Sequence, residues 1–199
     1  VISYFDFTEG ALKVAKCVTA ACTGAAIINT VDNPANLLGE STDIAIGSDG
    51  RPVISYTDIT LGDLKVAKCA NVACSVPAII NTVDNSANDV GSYNSITVGS
   101  DGLPMISYYD ETALALKFAK CVNGVCAGAA TISTIDDSAG QQGEHTSIAV
   151  GSDGLPVISY FDFTEGALKV AKCANAACTA SATITTVDDS ASFVGQYTS

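Results

Sequence analysis

Short apolar runs rich in Val, Ile, Tyr and Phe alternate along the chain with polar stretches that carry glycine. The alternation itself recurs every 52 residues. Val1, Val53, Met105 and Val157 each open a Val/Met-Ile-Ser-Tyr run, and close relatives of Gly-Ser-Asp-Gly-Leu-Pro precede the last three, at 47–52, 99–104 and 151–156. The 199 residues therefore divide into units 1–52, 53–104, 105–156 and 157–199, the last lacking the counterpart of 44–52. Self-similarity of this kind marks one domain built of equivalent units, and it argues against a doubly wound α/β domain or a helical bundle.

Within a unit the pattern predicts four short strands. In the final copy they cover 145–150, 157–161, 168–173 and 183–187, separated by turns such as Gly151-Ser152-Asp153-Gly154. The segments are too short, too β-branched and too often broken by glycine for helix. Residues 113–119 alone have helical composition, but they align without a gap to the strands of the neighbouring copies, and strand is assigned. Both parities of each strand are apolar: Val157 and Phe161 flank Ser159 on one face, and Ile158 and Tyr160 lie on the other. A sandwich sheet with one wet face would alternate more cleanly. A parallel solenoid has shorter coils and lacks these hairpins. The fold class expected is all-β, a β-propeller of 52-residue, four-stranded antiparallel blades.

Composition narrows the function classes. A formal net charge of −12 excludes nucleic acid and anionic membranes as natural partners. No apolar run approaches the roughly 20 residues of a transmembrane helix. The eight cysteines form four pairs with one spacing, Cys17/Cys22, Cys69/Cys74, Cys121/Cys126 and Cys173/Cys178, which predicts four local disulfides. Thiolate metal binding fits less well, because four residues separate each pair and His145 is the sole histidine. Disulfides imply an extracellular or cell-envelope location, and with no signal peptide visible the chain reads as a mature form or a fragment.

The run from Thr146 through Gly-Ser-Asp-Gly-Leu-Pro-Val-Ile-Ser-Tyr-Phe to Asp162, with Gly-Ala-Leu-Lys-Val-Ala-Lys after it, resembles the tandem blades of bacterial β-propeller repeat proteins. Those are secreted or surface proteins with distantly sialidase-like blades and largely unassigned function. The resemblance implies that 44–46, 95–98 and 147–150 are the innermost strands. It does not carry sialidase activity across. Arg51 is the single arginine where an arginine triad is needed, and the chain has no tryptophan for a full aspartate box.

Three recurring sets are candidates for function. Asp6, Asp58, Asp110 and Asp162 end the Ile-Ser-Tyr strands beside further oxygen ligands such as Thr8, Glu9 and Glu111, a chemistry that suits calcium. Their structural reading is acceptance of turn amides; no other cofactor is indicated. Tyr4, Tyr56, Tyr108 and Tyr160, with Tyr109 as an extra, have the chemistry to stack on a sugar face or to fill the space between blades. The lysine pairs Lys13/Lys16, Lys65/Lys68, Lys117/Lys120 and Lys169/Lys172 supply eight of the nine basic groups, either as an anion stripe or as partners of carboxylates. Acidic neighbours such as Asp136/Asp137 do not by themselves make the cross-cleft pair of a glycosidase.

The expected function is a non-catalytic, lectin-like binding or scaffolding propeller whose ligand is a glycan or a protein. The alternative is a carbohydrate-active hydrolase or lyase, or the propeller part of one. Catalysis needs a constellation that breaks the repeat, and Arg51, Glu111 and His145 read as scattered exceptions. The short last unit suggests either a longer chain or a homodimer that completes a larger ring.

Overall fold

The computed structural model describes residues 1–33, 38–86, 89–190 and 193–199, without the side chains of 38–40. Among these the chain forms four antiparallel sheets in sequence order. The first contains β1 (Ile2–Asp6), β2 (Ala11–Lys16) and β3 (Ile27–Asp32). The second contains β4 (Leu38–Ile46), β5 (Pro52–Asp58), β6 (Asp63–Lys68) and β7 (Ile79–Asp84). The third is β8 (Val90–Val98), β9 (Pro104–Asp110), β10 (Ala115–Lys120) and β11 (Thr131–Asp136). The fourth is β12 (Gln142–Val150), β13 (Pro156–Asp162), β14 (Ala167–Lys172) and β15 (Thr183–Asp188). The fold is a β-propeller, and the helix-prone stretch at 113–119 contributes strand β10. No helix of the described residues is long and apolar enough to cross a membrane.

The strands β4, β8 and β12 lie side by side at the inner edge of their sheets. Each is nine residues long and begins several residues before its apolar core. Three apolar clusters lie between successive sheets. The first joins Leu12 and Val14 to Ile54, Tyr56 and Ala67; the second joins Leu64 and Val66 to Ile106, Tyr108 and Ala119; the third joins Leu116 and Phe118 to Ile158, Tyr160 and Ala171. Both faces of a central sheet are thereby covered, so β5 and β9 are buried along their whole length. That explains the apolar residues at both parities.

Two polar fasteners accompany each cluster. Tyr56, Tyr108 and Tyr160 donate their hydroxyls to Asp32, Asp84 and Asp136 of the preceding sheet at 2.7, 2.7 and 2.5 Å. Asn29 and Asn81 donate amide protons to the carbonyls of Ala73 and Val125 at 2.8 Å, and Ser133 reaches that of Ala177 at 3.5 Å. The acceptors are in the loops closed by disulfides. Cys17–Cys22, Cys69–Cys74, Cys121–Cys126 and Cys173–Cys178 are bonded, with Cα–Cα distances of 4.9, 5.0, 4.9 and 5.1 Å.

Candidate functional site

The recurring aspartates and lysines partner one another. Asp6, Asp58, Asp110 and Asp162 each accept an ammonium, from Lys13, Lys65, Lys117 and Lys169, at 2.5–2.7 Å. Their other oxygens take turn amides, as from Thr8, Leu61, Ala113 and Glu165. Lys68, Lys120 and Lys172 reach the turn residues Asp49, Asp101 and Asp153 at 2.5–2.8 Å. The carboxylates considered for calcium are thus committed to lysine and backbone, and no group of three or more His, Cys, Asp or Glu among the described residues is arranged to hold a metal. Tyr56, Tyr108 and Tyr160 are fully buried between sheets, and Tyr4 is half-buried. Burial, reinforced by the neighbouring aspartates, raises the pKa of the three buried phenols, which stay protonated as donors. None of these repeated residues lines the cavity described next; the extra Tyr109 lines a smaller hollow beside it.

A cavity of about 500 Å³ lies where the innermost strands converge, lined by Ser41, Ser92, Tyr93, Glu111, His145 and Tyr197. Ser41, Tyr93, His145 and Tyr197 occupy one repeat position, 52 residues apart. Local backbone irregularity presents them. The pairing of β8 with β9 and of β12 with β13 slips twice, between Val90 and Ser92 and between Ser92 and Ser95, and likewise between Gln142 and Glu144 and between Glu144 and Ser147. Such bulges re-aim side chains. Gly91, Gly143 and Gly195 have φ of 102°, 105° and 98°, and a Cβ there would lie 3.0, 2.7 and 2.7 Å from the Cα of Leu64, Leu116 and Leu168. Only glycine meets both demands. Two residues on, Tyr93, His145 and Tyr197 are left-handed, with φ of 51°, 50° and 55°.

The result is a row of rings. The His145 centroid lies 4.5 Å from Tyr93 and 4.2 Å from Tyr197. Side-chain bonds between equivalent segments of successive units hold the row: Asn94 Nδ2 donates to the Ser41 carbonyl at 2.8 Å, and Thr198 Oγ1 to the His145 carbonyl at 2.7 Å. Burial lowers the pKa of His145, which favours the neutral imidazole.

The departures from the repeat gather beside this row. A second hollow of about 220 Å³ is lined by Tyr93, Tyr109, Glu111, Leu114, Gln141 and Glu144. Glu111 stands where other units have Phe7, Ile59 and Phe163, and Leu114 where they have Gly10, Gly62 and Gly166. Leu114 keeps the left-handed φ of those glycines, 55°, a strained state for a side chain with a Cβ. Gln142, at the position of Val90 and Val194, is buried with Oε1 lacking a hydrogen bond. Burial pushes the Tyr109 phenol up to about 12, and its buried hydroxyl lacks a well-formed hydrogen bond although Gln141 lies alongside.

Two carboxylates face this space in different environments. Glu111 accepts the Ser92 hydroxyl at 2.5 Å. Glu144 has its carboxyl raised above the usual range, first by burial and then by the negative charge of Glu111. Glu111 and His145 read as scattered in the sequence, yet they line one cavity; Arg51 is apart, 4.0 Å from Asp49 in a turn. Glu144 was not among the sequence candidates, because nothing in the apolar period marks a residue carried on a bulge.

No family model matches the chain, and no curated protein matches it. Among solved structures it is similar to an exo-β-1,3-galactanase from Phanerochaete chrysosporium, at 12% identity and a TM-score of 0.59 over 91% of this chain and 46% of that one. A protein of unknown function from Dyadobacter fermentans matches at 14% identity and a TM-score of 0.57, over 73% and 41%. A GH43 α-L-arabinofuranosidase from Clostridium thermocellum matches at 14% identity and 0.51, over 75% and 51%. The chain spans about half or less of the length of these structures. At such identity the shared feature is the fold. Two earlier expectations are nevertheless corrected. The blades are similar to those of GH43-type propellers with named activities, which replaces the sialidase-like, functionally unassigned reading. The non-catalytic, lectin-like binding or scaffolding reading also gives way, since most of these neighbours are named as carbohydrate-active hydrolases.

Proposed function

We propose that the chain is the propeller part of a carbohydrate-active hydrolase, with the glycan held in the cleft between Tyr93, His145 and Tyr197 and the pair Glu111 and Glu144. The observation that carries this reading is the clustering of the departures from the repeat. Glu111, Leu114, Gln142 and His145 break the symmetry of their positions, and all lie on or next to one cleft. In a protein otherwise made of equivalent units, a unique constellation is what catalysis requires.

The chemistry follows from the two environments. Glycoside hydrolysis uses one protonated carboxyl to protonate the leaving oxygen and one carboxylate to activate water or attack the sugar. Glu144, held protonated to higher pH by burial and by Glu111, takes the acid role. Glu111, exposed and bonded to Ser92, takes the base role. The rings of Tyr93, His145 and Tyr197 offer apolar faces to a sugar, whose burial there excludes water. Four disulfides support an extracellular or cell-envelope location for such an enzyme.

The test is release of reducing ends from a panel of galactan, arabinan and xylan oligosaccharides by the purified, oxidised chain. Turnover is expected with at least one of them. Glu144→Gln and Glu111→Gln should each lower kcat by about 10²–10⁴-fold, the span of a lost general acid or base, without a change in Tm. No turnover on the whole panel, or full activity in both variants, contradicts the proposal.

A further inference from the structure

The interface that the chain makes three times between its own sheets has both of its halves left over at the two outer faces. On the first sheet, Ile2 is 54% exposed where Ile54, Ile106 and Ile158 are fully buried. Cys17 and Cys22 are partly or fully exposed, while the other three disulfides are covered by the preceding sheet. On the fourth sheet, Val187 is 57% exposed against 8% for Val83, and Leu168 and Val170 are half-buried where Leu64 and Val66 are fully buried.

The two open faces have matching chemistry. Val157, Leu168, Val170 and Val187 are identical in type to Val53, Leu64, Val66 and Val83, which bury Ile106 and Tyr108 of the next sheet. Ile2, Tyr4, Ala15, Cys17 and Cys22 are identical to Ile106, Tyr108, Ala119, Cys121 and Cys126. The polar fasteners are unmatched in the same sense. Tyr4 stands at the donor position of Tyr56, Tyr108 and Tyr160, and Asp188 at the acceptor position of Asp32, Asp84 and Asp136. Thr185 corresponds to the donor Ser133, and Ala21 to the acceptor Ala177.

We infer that the chain associates head to tail with a second copy of itself, the open face of the fourth sheet on one copy covering the open face of the first sheet on the other. The inference rests on the repeated interface alone and is independent of the hydrolase reading. A contact between two different faces is heterologous, so it propagates until the rotation closes a ring. Each new contact rebuilds an apolar cluster, a Tyr4–Asp188 bond and a Thr185–Ala21 bond of the kinds the chain already contains.

Light scattering on the eluting 199-residue chain across the micromolar range tests this. The expected masses are twofold or higher whole-number multiples of 20.1 kDa, rising with concentration until a ring closes. Ile2→Glu disables one face and Val187→Glu the other. Both sites are exposed in the single chain, so circular dichroism should match the parent, and Tm should match it at dilutions where the parent has dissociated. Each variant alone should lose association by at least about tenfold in Kd. Mixed in equal amounts, the two should form a complex of two chains and nothing larger, because one good face remains on each. A parent chain that stays monomeric, as when the faces are reserved for further blades of a longer polypeptide, overturns the inference. So do variants that associate like the parent, and a mixture that stays monomeric.

Discussion

Tyr108 shows how a single repeated residue serves the fold. Its ring fills the space between the second and third sheets with no exposure, and its hydroxyl donates to Asp84 at 2.7 Å. Asp84 has Lys117 only at 3.8 Å, so the phenol is its closest cationic or donor side-chain partner among those described. Tyr108→Phe removes the donor and retains the packing. It should cost about 1–3 kcal/mol, the penalty for stranding a buried acceptor, as measured by urea denaturation with an unchanged m-value. The sequence offered two readings of these tyrosines, sugar stacking and packing between blades. The partner aspartate, 24 residues upstream on another sheet, was illegible because no local period links the two. Glu144 was hidden for a related reason: its pKa depends on burial beside a Glu111 from the neighbouring hairpin.

At the level of the element, the innermost strands carry both the fold and the site. Apolar alternation predicts strand only from His145, while β12 begins at Gln142. The missing residues, Gln142 to Glu144, are polar or glycine and straddle two bulges, so they follow no period of two. That bulged segment is what turns Glu144 and His145 into the cleft. Gly143 permits it through a φ of 105° and a hydrogen where a Cβ would be 2.7 Å from Leu116 Cα. Gly143→Ala should lower stability by about 1–3 kcal/mol, the usual cost of forcing extra volume into a packed site. It should lower any glycosidase activity more than the stability loss explains, because Glu144 and His145 are the next two residues. Chemical denaturation and kinetics on the same samples separate the two effects.

For the whole molecule, the 52-residue period was the strongest signal in the chain, and it accounts for the succession of sheets, the disulfide in each, and apolar residues on both faces. Equivalence of the units also directed attention to the repeated Tyr and Asp sets; Tyr56, Tyr108 and Tyr160 fill the space between sheets, and Asp6, Asp58, Asp110 and Asp162 pair with a lysine on the next strand of their own sheet. Function is better sought in what departs from the period. Glu111, Leu114 and His145 lie up to 34 residues apart in the sequence, and adjacent innermost strands bring them to neighbouring hollows. Their convergence could not be read from spacing, because it depends on how successive sheets pack. A crystal structure of the Glu144→Gln variant with a bound oligosaccharide tests this account most directly. The account predicts a sugar ring against Tyr93, His145 and Tyr197, with a glycosidic oxygen within hydrogen-bond reach of residue 144. A sugar bound elsewhere, with the cleft holding only solvent, would contradict it.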